Sequence, residues 1–155
     1  MLKRLEEIWK IENIEDFIIA MNDYIGEKCQ YGDKISVLNE YERVFFVTQQ
    51  LEMEVNNGGF SQFFYNSSGD FSHELVHAFT EIGANKTAAI CKKALGAFPQ
   101  TFPVNRYERQ EMLDEIESDE IEEIFDECDD EFYEYEDDLT TLNYEYIRKN
   151  KQFFM

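Results

Sequence analysis

Residues 39–70 read NEYERVFFVTQQLEMEVNNGGFSQFFYNSSGD, and this stretch decides the fold class. Asn39 has the right side chain to cap a helix, because its oxygen can accept from first-turn amides that lack a helical partner. Behind it Tyr41, Val44, Phe45, Val47, Thr48, Leu51 and Val55 recur at three- and four-residue steps. That is the period of an amphipathic helix reaching Asn56. Asn57-Gly58-Gly59 reads as a helix stop, since Gly and Asn tolerate the left-handed conformation that closes one. Gly58 and Gly59 permit the positive φ needed there, and Asn56 and Asn57 can bond the exposed backbone of the corner. A short helix from Phe60 to Asn66 would plug the core with Phe60, Phe63 and Phe64. Ser67-Ser68-Gly69 is a second stop, and Gln62, Asn66 and Asp70 either mark a polar pocket or, the favoured reading, tie down the corner's backbone.

Working outward, the same period continues. Phe17, Ile18, Met21, Tyr24 and Ile25 predict a helix from Ile14 to about Lys28, followed by a turn at Tyr31-Gly32-Asp33. Ser72 is placed to cap a helix running to Ile82. Gly83 ends that helix, Asn85 starts the next, and that one stops near Phe98-Pro99. The two prolines, Pro99 and Pro103, both fall in AFPQTFPVN, a loop rather than a linker. Long alternating runs, the mark of strands, are missing. The expectation is an all-α protein: a single domain over residues 1–155, of six to eight helices, with an acidic amphipathic C-terminal helix. A length of 155 residues fits one domain.

Charge is the second signal. The chain has 34 acidic and 14 basic residues, a net charge of −20. Residues 108–138 alone hold 18 acids and one base, Arg109, for a net of −17. Such blocks are commonly disordered tails. Here Ile121, Phe125, Cys128, Phe132, Tyr135, Leu139, Leu142 and Tyr146 repeat at steps of four and three, which gives the segment a face to bury. One or two docked helices with acidic backs follow from that stripe. At about 1.5 Å rise per residue the segment would span roughly 46 Å, one net charge per about 2.7 Å. Duplex DNA carries one per about 1.7 Å. The surface can therefore resemble DNA to a basic partner. Direct binding to nucleic acid or to anionic lipid is disfavoured, because both need Lys and Arg.

Other chemistry is sparse. His73-Glu74-Leu75-Val76-His77 fits the H-E-x-x-H zinc-hydrolase pattern, in which two His one turn apart hold the metal and the Glu activates water. The sequence has no other His for a third ligand, and two surface histidines explain the match as well. Nothing supplies a nucleophile–base pair or a phosphate cradle. No enzyme activity, cofactor or metal is expected. Cys29, Cys91 and Cys128 are odd in number and far apart, so they read as reduced, packed thiols. The N-terminal MLKRLEEIWKIENIEDF lacks the apolar core of a signal peptide, and no run is long enough to span a membrane. A cytoplasmic location is expected.

The corner carries a resemblance. Asn56-Asn57-Gly58-Gly59-Phe60 with its aromatic tail is similar to the signature of a bacterial family named for a small acidic DNA mimic, the DMP19-type family. The likeness continues through Ile82-Gly83-Ala84, Ala88-Ala89-Ile90, Ala94-Leu95 and Phe98-Pro99. It ends with Asp129-Asp130-Glu131-Phe132-Tyr133, Glu136-Asp137-Asp138-Leu139 and Tyr146-Ile147, and covers about residues 38–149. The resemblance implies an all-helical domain, often a homodimer, with no catalytic residues. It implies an acidic surface that occupies the DNA-binding face of a helix-turn-helix transcription factor. Candidate contacts for that basic DNA-binding partner are Glu115, Asp119, Glu122, Glu123, Asp126, Asp129, Asp130, Glu134 and Asp137. A zinc hydrolase at residues 73–77, or a structural domain whose acidity only keeps it soluble, are the alternatives.

Overall fold

Helix caps explain most of the architecture. A computed structural model of the chain describes residues 2–98, 103–115 and 119–155. Of the proline-bearing break, residues 99–102 lie outside these, as do residues 116–118 of the acidic segment. Among the described residues there are eight α-helices and no strand. The helices are α1 (Leu2–Ile8), α2 (Ile14–Lys28), α3 (Glu40–Tyr65), α4 (Leu75–Glu81), α5 (Asn85–Leu95), α6 (Arg106–Glu115), α7 (Asp119–Tyr133) and α8 (Leu139–Lys149). Four short 3-10 helices punctuate them. The all-α expectation holds.

The chain packs as two compact units. The first comprises residues up to Phe46 together with Asp138–Met155. Here α2 lies against α1 and α8. Asn13 caps α2 by accepting from the Asp16 amide. Asn39 caps α3, its Oδ1 accepting from the amides of Tyr41 and Glu42, while Glu42 reaches back to the Asn39 amide at 3.1 Å. This reciprocal pair satisfies the first turn from both directions. Glu42 is nearly buried, at 3 % side-chain exposure, and Lys28 pairs with it at 2.7 Å. A buried carboxylate would be costly without that partner. Arg148 places its guanidinium 5.0–5.4 Å from the rings of Trp9, Phe17 and Tyr144, and Lys151 sits 4.9 Å from Trp9. Basic side chains thus fasten parts of this unit to one another.

The second unit is Val47–Asp137. Its core is built from Phe60, Phe63, Phe64, Phe98, Phe125 and Phe132, all buried. Their rings meet at 5.0–6.2 Å, mostly edge-on or tilted, as aromatic quadrupoles prefer. α5 packs on both α4 and α7.

Three expectations need correction. The Asn57-Gly58-Gly59 stop is the kink at which two helical stretches of α3 meet, as expected, but only Gly59 has positive φ (82°) and Gly58 does not. The helix expected from Ser72 begins at Leu75, because residues 67–74 wind as a 3-10 helix in which Ser72 Oγ donates to the Gly69 carbonyl. The apolar stripe from Ile121 to Tyr146 is not one continuous ridge. It breaks at Tyr135, whose φ is +47° and whose side chain is exposed, so Phe125, Cys128 and Phe132 serve one unit while Leu139 and Tyr146 serve the other.

Candidate functional site

The kink at Gly59 organises the acidic face. With φ 82° and ψ −179°, Gly59 interrupts the helical ladder, and the Phe60 amide turns instead to Asp129 Oδ1 on α7 at 2.8 Å. A Cβ at residue 59 would collide with the Asp129 carboxylate, so both the dihedral and the close approach demand glycine. Burial raises the Asp129 pKa, the Phe60 amide opposes that, and Asp126 and Asp130 add to it. Two tyrosines fasten the same junction. Tyr133 donates to the Val55 carbonyl at 2.7 Å, and Tyr135 accepts from Asn56 Nδ2 at 2.6 Å while donating to Glu52. Asn56 therefore bonds a side chain rather than the corner backbone it was expected to cap, and Asn57 is exposed.

Below the corner lies a buried guanidinium. Arg109, the one base of the acidic segment, is 0 % exposed. It donates to the carbonyls of Phe64, Asn66 (2.9 Å) and Val104 (3.2 Å) and to Asp70 Oδ1 at 2.9 Å. Gln110 takes the Tyr65 carbonyl at 2.8 Å. Carbonyls at a helix C-terminus lack intrahelical donors and carry partial negative charge, so a cation there is doubly favoured. Gly69 leaves the room: a Cβ on it would lie 2.7 Å from the Phe63 carbonyl and 2.9 Å from Arg109 Nε. Burial raises the Asp70 pKa, yet the hydrogen bonds from Arg106 and Arg109 outweigh it and hold the carboxyl below its usual range. Glu54 completes the inner network, accepting from Gln62, Asn66 and Ser68.

The nine acids proposed as contacts do not share one environment. Glu122, Glu123, Asp126 and Asp130 stand exposed on α7, Glu115 is exposed on α6, and Glu134 is exposed just beyond α7. Asp119 opens α7. Asp129 is half-buried against Phe60, and Asp137 accepts from the Thr87 amide (2.7 Å) and hydroxyl (2.9 Å) at the first turn of α5. These two acids serve the fold. Among their neighbours, Glu127 and Glu131 each pair with Lys93 at 3.0 Å, and Glu136 pairs with Lys86 at 3.2 Å. Seven acids of α7 are exposed, over about 22 Å of helix, or roughly one per 3 Å. The phosphates of one DNA strand are about 3.4 Å apart along the axis. Among the described residues the exposed acids of this array lie mainly on α6 and α7.

The DMP19-like protein family model matches residues 36–150. The chain belongs to the DMP19-like family. No curated protein and no solved structure matches it. In this DMP19-like chain the glycine corner joins α3 to α7 through Asp129, which is the link between its motif and its acidity. That link spans 69 residues of sequence, so no local pattern announces it. Arg109 was equally hidden: a lone base among acids reads as charge bookkeeping until its burial is seen.

The remaining motifs behave as follows. His73 lies in the 3-10 helix and His77 in α4, so the two do not share one α-helical face, and His73 is 55 % exposed beside Glu74. Among the described residues no group of three or more His, Cys, Asp or Glu could hold a metal ion. Cys29, Cys91 and Cys128 are free and buried. Burial pushes the Cys128 thiol up to about 11 and raises Cys91 as well, so both stay protonated. Among the described residues no helix is long and apolar enough to cross a membrane. Between the second half of α3, α6 and α7 lies a cleft of about 450 Å³, with Leu113, Ile121 and Phe125 as apolar lining and Tyr65, Asp114 and Glu122 among its polar groups.

Proposed function

We propose that this DMP19-like chain is an acidic interaction protein that acts as a DNA mimic, covering the DNA-binding face of a basic protein such as a helix-turn-helix transcription factor. The observation that carries the reading is the row of exposed carboxylates on α7, spaced along its axis much as phosphates are along a strand. Rigidity supports it. The helix is anchored from beneath by Phe125, Cys128 and Phe132 and from the side by Asp129 and Tyr133, so its acids hold their places. Tertiary anchoring also offsets the repulsion among like charges that opposes a compact acidic surface. A fixed array favours binding, because little side-chain and backbone freedom remains to be lost on association. Family membership is in accord with this reading, and a cytoplasmic location and homodimer formation belong to the same proposal.

The test is competition. Basic DNA-binding proteins are captured from host lysate at low salt on the immobilised chain, then purified with their DNA sites. Added chain should displace the DNA, with an affinity that falls steeply as salt screens the exposed charges. The variant Glu122→Gln, Glu123→Gln, Asp126→Asn, Asp130→Asn should keep its helical signal and lose displacement. Undiminished displacement by that variant, or displacement indifferent to salt, defeats the proposal.

A further inference from the structure

Two cavities flank α7, and they differ in one respect. The one on the α5 side, about 340 Å³, is lined by Glu131, Glu134 and Glu136 together with Lys86 and Lys93. There the chain supplies its own cations: Lys93 bridges Glu127 and Glu131, and Lys86 pairs with Glu136. The cleft on the α3 and α6 side is larger, about 450 Å³, within the roughly 300–1,000 Å³ of ordinary ligand pockets. It too presents carboxylates, Asp114 and Glu122, both exposed. None of its described lining residues is basic. The wall on α3 is kept low by Gly58 and Ser61, and a Cβ at residue 58 would strike the Gln62 side chain and disturb its bond to Glu54. Gly58 has no positive φ, and the one group that a Cβ there would meet is the Gln62 side chain.

We propose that this cleft receives an arginine side chain from the basic partner, so that the acidic surface recognises guanidinium rather than positive charge in general. The inference rests on the DNA-mimic reading and names the chemistry of its partner. Three features of the lining fit arginine together. Leu113, Ile121 and Phe125 offer apolar surface to the methylene stem, which long cationic side chains lay along such surface. Tyr65, 42 % exposed at the cleft, offers an aromatic ring on which a planar guanidinium stacks. Asp114 and Glu122 offer carboxylates to its forked donors. Lysine lacks the plane and the fork, and its ammonium is more strongly hydrated, so it loses more on entering a part-apolar cleft.

The experiment uses the full chain with oligo-arginine and oligo-lysine peptides of equal length, titrated by calorimetry at low salt. Arginine should bind tighter by about tenfold, roughly the value of one charge-assisted hydrogen bond. Asp114→Asn with Glu122→Gln should abolish that preference. Ser61→Phe, which fills the cleft and leaves the charge unchanged, should do the same, with circular dichroism confirming the fold. Glu123→Gln with Asp126→Asn, an equal loss of charge elsewhere on α7, should weaken both peptides and preserve the preference. Equal binding of the two peptides by the native chain overturns the arginine cleft and leaves general acidic recognition standing. So does equal loss in the two charge-neutralised pairs, or a Ser61→Phe variant that still prefers arginine. Failure of both peptides to bind at low salt overturns the cleft and the mimic reading together.

Discussion

The two units share a helical vocabulary and use charge in opposite ways. Residues 1–46 with 138–155 contain twelve acids and nine bases, a net of −3, whereas residues 47–137 contain 22 acids and five bases, a net of −17. The first unit pairs its bases closely: exposed Arg148 lies against three aromatic rings, half-buried Lys28 on nearly buried Glu42, and exposed Arg4 on Glu27. The second buries one guanidinium, Arg109, and leaves exposed acids on α6 and α7 to face solvent. Its cohesion comes from clustered phenylalanines and from backbone groups capped by side chains distant in sequence. The contrast teaches that strong surface charge is tolerated where apolar packing and internal hydrogen bonds, not surface ion pairs, hold the helices.

The largest blow to this contrast is Arg109→Met. Removing the buried cation leaves Asp70 with Arg106 alone and takes the guanidinium donor from the Phe64 and Asn66 carbonyls, a loss of about 3–5 kcal/mol. Hydrogen exchange should show protection lost in the second half of α3, α6 and α7. Retained protection there would mean that the second unit does not depend on its one buried base. Next comes Gly59→Ala, which meets both a positive φ and the Asp129 carboxylate, and should cost roughly 1–3 kcal/mol by urea denaturation. Arg148→Ala probes the other side of the comparison. Loss of its aromatic contacts should cost about 1 kcal/mol, and fluorescence of Trp9, the sole tryptophan, should report it.

The smallest effect sharpens the picture through pH. The Asp129 pKa is raised in the fold, so the folded state takes up its proton more readily than the unfolded chain does. Stability from this group is therefore gained as pH falls from neutral through its folded value, and is lost again as pH rises. Asp70 has the opposite sign. Its lowered pKa contributes stability above the ordinary Asp value of about 3.9, and that contribution fades as pH falls below it. A thermal midpoint that rises modestly on mild acidification and drops in stronger acid is the expected profile. Asp129→Asn should flatten the rising limb alone, since an amide oxygen can still accept from Phe60. An unchanged rising limb in that variant assigns it to other acids.

Much of the local structure was legible. α2 runs from Ile14 to Lys28 as its periodicity dictates, Asn39 caps α3, and Gly83 closes α4 with φ +84°. Such signals lie within a few residues of the groups they act on. Where the reading went astray, a distant partner was decisive. Asn57-Gly58-Gly59 marks the kink between the two helical stretches of α3, but nothing near it in sequence shows that Asp129 takes the Phe60 amide there. The stripe from Ile121 to Tyr146 keeps a helical period across a break at Tyr135, since period records which residues are apolar and not which core they enter. Among the candidate acids, nothing in the run EYEDD distinguishes exposed Glu134 from Asp137, which is bound to Thr87.

By itself, then, the amino-acid sequence determined the helical class, the starts of α2, α3 and α5 and the concentration of acid between residues 108 and 138. These follow from side-chain period, cap chemistry and composition, all of which act at short range. Tertiary structure alone decided which acids face solvent and which cap backbone, where Arg109 is buried, and that α7 is flanked by one cavity furnished with lysines and another without a base. Those outcomes depend on groups tens of residues apart meeting within hydrogen-bond distance, and a linear pattern carries no record of such encounters.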